Sequence, residues 1–234
     1  MFSLFEWSAV AWFLLLWVGY SYLSNKQISG QMNLSKILNE FRHDWMKRML
    51  MREQRISDMS AVANLERNAG FFASTCMFLI AGVLTVIAAS DKAFDILNAF
   101  AFIEQSSELA SYAKLIMLLL IYVYCFFTFT WCMRQYGFCS VLIGSAPLPK
   151  EDISDSIKNE FAKHAGSVLD QAGKQFNLGL RGVYFSLAVL TWFVGTEWFM
   201  LVSAIVVMVL YRREFKSKTL KELVLARGVK QKSG

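Results

Sequence analysis

The chain has 234 residues, 56% of them hydrophobic and 15% aromatic, and a mean hydropathy of +0.39. A soluble domain is about 45–50% apolar, so this composition, with 20 Phe, 7 Trp and only 2 Pro, sets aside an ordinary water-soluble fold in favour of a compact helical membrane protein. The net charge of +6 gathers beside the apolar runs, which argues against a nucleic-acid partner and reads as an orientation signal, with attraction to anionic head groups as a second effect.

The first apolar run, about 7–23, is long enough to cross a hydrocarbon core of about 30 Å at about 1.5 Å per residue. Trp7 and Tyr22 stand near its two ends, where interfacial aromatics sit. No charged leader or small-residue cleavage site accompanies it, so it is expected to be retained as a span. Residues 25–66 are polar and carry charges of both signs. Within them Leu34, Leu38, Phe41, Trp45, Met49, Ile56, Met59 and Val62 recur mostly at steps of three or four, with a gap at Arg52. That spacing predicts an amphipathic helical segment over 33–66, in one or two helices, capped by Asn33 or Ser35. Its stripe is expected to pack on the protein's own helices rather than on lipid.

A second span is predicted at about 69–89, with Gly70 and Gly82 allowing close helix approach and Ser74, Thr75 and Thr85 able to bond back to helical carbonyls. Residues 90–111 carry Asp91, Asp95, Glu104 and Glu108 against Lys92 alone. Phe94, Leu97, Phe100 and Phe102 within them predict a short interfacial helix. A third span, about 112–133, ends in Arg134, and Pro147-Leu148-Pro149 marks a break further on. A second amphipathic segment over 150–178 follows, with Ile153, Ile157, Phe161, Ala165, Val168, Ala172 and Phe176 on one face. Glu151, Asp152 and Asp155 complement the dipole of its first turn.

The last apolar stretch, 180–211, is too long for one ordinary span and is interrupted at Gly195-Thr196-Glu197. If the chain turns there, 180–194 and 198–211 are two short spans and the total is five. Residues 25–66, 134–179 and the tail then share the cytoplasmic side, and the acidic 90–111 loop faces outward. A single crossing would put the tail outside, with Arg212, Arg213, Lys216, Lys218, Lys221, Arg227, Lys230 and Lys232, against the positive-inside rule. The sequence therefore reads as an all-α, polytopic membrane protein in one domain, with about five transmembrane helices and two amphipathic cytoplasmic segments. Its N-terminus is outside and its C-terminus in the cytoplasm.

Ionisable residues at the membrane are functional candidates. Arg67 with Asn68, Arg134 and Arg181 would form a basic ring at the cytoplasmic edge, able to bind lipid phosphates or another anionic ligand. Asn68 alone is sufficiently explained as a cap for the second span. The plain structural role for the arginines is snorkelling at helix ends. Glu197, in the outer turn, is a candidate ion site or a solvated turn carboxylate. The four cysteines form no CxxC pair, which argues against a disulfide or zinc site. Cys125, Cys132 and Cys139 fall on one helix face and read as packing residues. His43 and His164 are the only histidines, and no nucleophile elbow, HExxH or Gly-rich phosphate loop occurs, so no catalytic residue, metal ligand or cofactor is named.

Several stretches together resemble a bacterial family of multi-pass inner-membrane proteins, also present in plants, whose domain is of unknown function. These are Arg42-His43-Asp44-Trp45-Met46, Arg67-Asn68-Ala69-Gly70-Phe71-Phe72-Ala73-Ser74, Phe129-Thr130-Trp131 with Arg134-Gln135-Tyr136, and Leu142-Ile143-Gly144 with Ala146-Pro147. Asn177, Gly179-Leu180-Arg181 with Tyr184-Phe185, and Tyr211-Arg212-Arg213-Glu214-Phe215 complete the likeness, which covers nearly the whole chain. It implies an integral protein of the bacterial inner membrane and no particular activity.

Three functions are compatible with this reading. The first is a homo-oligomeric channel or membrane scaffold, since self-complementary helical surfaces close into symmetric oligomers. The second is a transporter for a small solute or lipid, against which the odd span count and the lack of matching halves weigh. The third is a membrane enzyme acting on phosphate-bearing lipid, weakened by the lack of a carboxylate pair for Mg²⁺.

Overall fold

The computed structural model describes residues 4–25, 32–89 and 108–232, and all regular structure among them is helical. In chain order the helices are α1 (Leu4–Asn25), α2 (Leu34–Leu50), α3 (Ile56–Ala88), α4 (Glu108–Ser145), α5 (Asp155–Thr191), α6 (Thr196–Phe215) and α7 (Lys218–Lys232). Three of them, over Leu4–Ser24, Ile56–Ala88 and Leu109–Ser145, are long and apolar enough to cross a membrane. The interfacial helix expected within 90–111 lies almost wholly outside the described residues.

The long helices run straight through the polar–apolar junctions at which the sequence predicts ends. At about 1.5 Å per residue, the 33 residues of α3 extend about 50 Å, well beyond a hydrocarbon core of about 30 Å. The second span is thus the apolar part of a helix that begins at Ile56, and Asn68 lies inside that helix and caps nothing. Likewise α4 carries the third span on through Gly137 to Ser145, and α5 joins the second amphipathic segment to the apolar run after Leu180. The polar 33–66 segment does break, at the gap at Arg52, so that α2 ends at Leu50. Asn33 is the N-cap of α2 and its side chain accepts from the Lys36 amide at 2.8 Å.

The chain forms two compact units. One comprises Met1–Gln31, Ser74–Phe127 and Leu178–Arg212. Its centre is aromatic: Phe13, fully buried on α1, lies 5.5 Å from Phe185 of α5 and 5.2 Å from Phe199 of α6. Trp17 stacks on Phe185 at 5.2 Å, and Trp192 on Phe199 at 4.7 Å. Between α5 and α6 the helical bonding stops, with Val194 and Gly195 amides bonded back to Thr191, and restarts as Phe199 donates to Gly195. Phe185 and Phe199 flank this break and both meet Phe13, so the chain reverses there and α5 and α6 form a hairpin against α1. The sequence places that turn at Gly195-Thr196-Glu197, next to the observed break.

The other unit comprises Met32–Ala73, Thr128–Asn177 and Arg213–Gly234. Its core takes Met46, Met49 and Leu50 from α2, Val62 and Ala69 from α3, Cys132, Tyr136, Cys139 and Ile143 from α4, and Ala162, Ala165, Leu169 and Ala172 from α5. Both amphipathic segments therefore contribute to this core, and for 33–66 that is the packing the sequence predicts. The α2 stripe is rotated from the predicted one: Ile37, Met46 and Leu50 are buried, while Ile56 is 78% exposed. Phe72 stacks on Phe129 at 5.3 Å, and Phe176 meets both rings edge-on at 5.7 Å. Gly70 lets Met133 approach, since a Cβ there would stand 3.3 Å from its terminal methyl. Helix α7 joins this unit through Leu220, which is buried, and through an ion pair from Arg227 to Glu40 on α2.

Candidate functional site

The residues nominated from sequence occupy different surroundings. Arg67 and Asn68 on α3 and Arg134 on α4 are exposed, in the unit that holds the amphipathic segments. Arg134 has its guanidinium 5.8 Å from the Phe138 ring, within range of a cation–π contact. Arg181 belongs to the aromatic unit and is only 6% exposed. Its guanidinium lies 5.2 Å from the Tyr20 ring, and its Nη1 is buried without a hydrogen-bond partner. An unmade hydrogen bond on a buried charged donor is costly, about 1–3 kcal/mol or more. Arg181 is thus the one nominated cation with an unmet demand for an acceptor. Glu197 is exposed in the first turn of α6, where a carboxylate is stabilised by the helix dipole.

Two polar clusters that the sequence did not nominate lie in the unit of the amphipathic helices. In the first, Asp170 of α5 is buried, its side chain 3% exposed, yet both its oxygens are engaged. Arg42 Nη1 donates to Oδ1 and Lys174 Nζ to Oδ2, each at 2.8 Å. Burial pushes the Asp170 carboxyl up, but hydrogen bonds from Lys174 and Asn39 and the charges of Lys174 and Arg42 more than offset it. The carboxyl therefore sits below its ordinary range. Gly166 and Gly173 flank Asp170 on α5 and make the approach of α2 possible. A Cβ on Gly173 would strike the Arg42 guanidinium, and one on Gly166 would strike the His43 imidazole and come within 3.0 Å of the His43 Cα.

In the second cluster Asp58, 2% exposed near the start of α3, receives two donors on one oxygen. Trp45 Nε1 donates to Oδ1 at 2.7 Å and Arg52 Nη1 at 2.6 Å, while Oδ2 is buried without a partner. Nearby, Arg55 donates to the carbonyls of Ile143, Ala146 and Pro147 at 3.2, 2.6 and 2.5 Å and so satisfies the open end of α4. The stretch Arg42-His43-Asp44-Trp45-Met46 thereby acquires physical content: Arg42 and Trp45 each reach a buried carboxylate, and Met46 enters the core. Three of its residues point at their own protein.

The face formed by Cys125, Cys132 and Cys139 is buried throughout. Cys132 Sγ donates to the Ala172 carbonyl at 3.1 Å, and Cys125 Sγ to that of Gly179 at 3.6 Å. Gly182 leaves the space that the Cys125 sulfur occupies. Among the described residues no group of three or more His, Cys, Asp or Glu is placed to hold a metal ion.

Among the described residues the regular structure is all helical, and three helices are long and apolar enough to cross a bilayer, which suggests a membrane protein. Residues 8–219 match the family described as "Protein of unknown function, DUF599", and the chain belongs to that family. No curated protein and no solved structure matches it.

Proposed function

We propose that the protein is a homo-oligomeric scaffold of the bacterial inner membrane, held at its cytoplasmic face by anionic lipid head groups. In this reading the chain crosses the bilayer five times. The apolar part of α5 and α6 supply the two short spans, the N-terminus is outside, and α2, the first half of α5 and α7 are cytoplasmic. The hairpin at Gly195 supports the paired short spans. The observation that carries the oligomer is the uneven burial of the candidate spans. Within the chain 44% of the apolar stretch of α4 is buried, but only 17% of that of α1 and 17% of that of α3. Two of three spans thus leave most of their surface for lipid or another copy. On α1 that surface includes Trp7, Trp12, Leu15 and Val18. Trp is among the residues that most often anchor helical interfaces.

Arg67, Asn68, Arg134 and Arg181 take the head-group phosphates in this proposal, as charge-assisted donors. The measurement is the mass of the full chain in neutral-lipid nanodiscs or native-like micelles, with and without in-membrane cross-linking. A discrete multimer is expected, and a strict monomer at all lipid-to-protein ratios overturns the proposal.

One observation favours a second reading, passage or binding of a small anion: Arg181 is a buried guanidinium with an unpaired Nη1. Liposome flux of anions with Arg181→Ala tests it. Equal flux in the wild type and the variant removes that role.

A further inference from the structure

On α2, Phe41, Asp44, Trp45 and Arg48 line a cavity of about 240 Å³ that Arg52 completes. None of the arginines assigned to head groups above lines it. Two of its walls are fixed without any ligand. The Trp45 indole and the Arg52 guanidinium both donate to Oδ1 of Asp58, which is 2% exposed, so neither is free to swing. A wall held in this way loses little entropy when a ligand arrives. Arg48, by contrast, is exposed and lies four residues from Arg52 along the chain. The cavity wall carries the guanidiniums of Arg48 and Arg52 and the carboxylate of Asp44, and Arg52 is also ion-paired to Asp58, so Arg48 supplies the guanidinium not already committed to that buried carboxylate.

A helix C-terminus favours basic residues, and that accounts for Arg48 in the last turn of α2. It does not account for an indole tied edge-on to a buried carboxylate beside an open cavity. A carboxylate ligand could engage one guanidinium as a fork. A phosphate, with three terminal oxygens and a charge of about −1.5 to −2 at neutral pH, can engage two. Phe41 and Trp45 supply the apolar surface that a bare inorganic ion would leave unused.

We infer that this cavity binds a phosphomonoester carrying an apolar substituent, with Arg48 and Arg52 on the phosphate and Trp45 and Phe41 against the apolar part. The same chemistry occurs in a soluble aromatic phosphate and in a phosphatidic acid head group, and the two are separated by experiment. Full-length protein in neutral-lipid nanodiscs is titrated with inorganic phosphate, with phenyl phosphate and, in the bilayer, with short-chain phosphatidic acid, by calorimetry and by shift of the unfolding midpoint. At least one of the two substituted phosphates is expected to bind at least tenfold more tightly than inorganic phosphate. Preference for phenyl phosphate identifies a soluble ligand, and preference for phosphatidic acid a lipid.

Arg48→Ala is expected to weaken that binding about tenfold, because it removes a charge-assisted contact. Lys47→Ala removes an exposed charge from the same turn, outside the cavity, and is expected to leave the affinity unchanged. Arg48→Lys keeps the charge, loses the fork, and should fall between. Arg48 is exposed, so these variants fold if the wild type does, and their unfolding midpoints without ligand check this. Failure of both substituted phosphates to bind overturns the inference, as does equal loss in the Arg48→Ala and Lys47→Ala variants.

Discussion

Replacement of Arg42 by Leu tests whether the Arg42–Asp170 contact holds α2 on α5. The change removes the guanidinium that reaches Asp170 Oδ1 at 2.8 Å and leaves a carboxylate whose side chain is 3% exposed. Breaking one side of a buried pair costs about 3–5 kcal/mol, because the remaining charge is stranded. Here Asp170 keeps Lys174 on Oδ2 at 2.8 Å and Asn39 beside it, so the lower end, about 3 kcal/mol, is expected. The double variant Arg42→Leu, Asp170→Leu strands no carboxylate, and such apolar replacements are often neutral or stabilising. It should recover most of the loss. Lys174→Ala removes a side chain that is 56% exposed but leaves the buried Asp170 Oδ2 without its donor, so a loss of about 1–2 kcal/mol, smaller than that of Arg42→Leu, is expected. Reversible denaturation of the protein in mixed micelles, followed by circular dichroism, compares the wild type with these three variants. The reasoning fails if Arg42→Leu changes stability by less than about 0.5 kcal/mol, or if the double variant is as unstable as the single one.

Acid should weaken the same contact. The Asp170 carboxyl sits below its ordinary range when folded, so its contribution is complete above the unfolded value of about 4 and fades as pH falls through the folded value. Unfolding midpoints between pH 7 and pH 3 should therefore drop more steeply in the wild type than in Asp170→Asn, and parallel curves would contradict this. Gly166→Ala should destabilise even after the gain in helix propensity, since its Cβ meets the His43 backbone. Gly228→Ala on α7, with open space around it, should stabilise by up to about 1 kcal/mol, and the pair are compared in the same denaturation assay. Asn33→Ala should cost about 1 kcal/mol and show first as faster amide exchange at Lys36.

The three candidate membrane helices were legible because hydropathy reports the surroundings a segment favours, and the apolar runs are long. The turn near Gly195 was legible for a related reason: a run too long for one span has to reverse or leave the bilayer, and a polar tripeptide in its middle marks where. Helix continuity was not legible. A helix satisfies its own backbone in water and in lipid alike, so Arg67 and Asn68 change the environment of α3 without ending it. The same holds for Gly137 in α4 and for the junction near Leu180 in α5.

The phase of the α2 stripe was misread for a different reason. Trp45, counted as apolar, uses its Nε1 on a buried Asp58, and the chain breaks before Ile56, so positions on either side of Arg52 do not share one helical register. Asp170 escaped notice because a lone carboxylate on an amphipathic helix reads as solvent-facing. The spacing of Gly166 and Gly173 around it was the available signal that another helix approaches there. The cysteine face was read correctly as a face, and each of its members is buried.

The stacked pair Trp192 and Phe199 gives the aromatic unit a built-in optical probe. Trp192 is 1% exposed, and the Lys114 amine lies 5.5 Å from its ring centre. An indole so enclosed emits at short wavelength and resists aqueous quenchers. Trp45, half-buried and tethered to a carboxylate, belongs to the other unit and sits at an open cavity. Single-tryptophan versions retaining one or the other would therefore report separately on the loosening of each half of the molecule, without any attached dye.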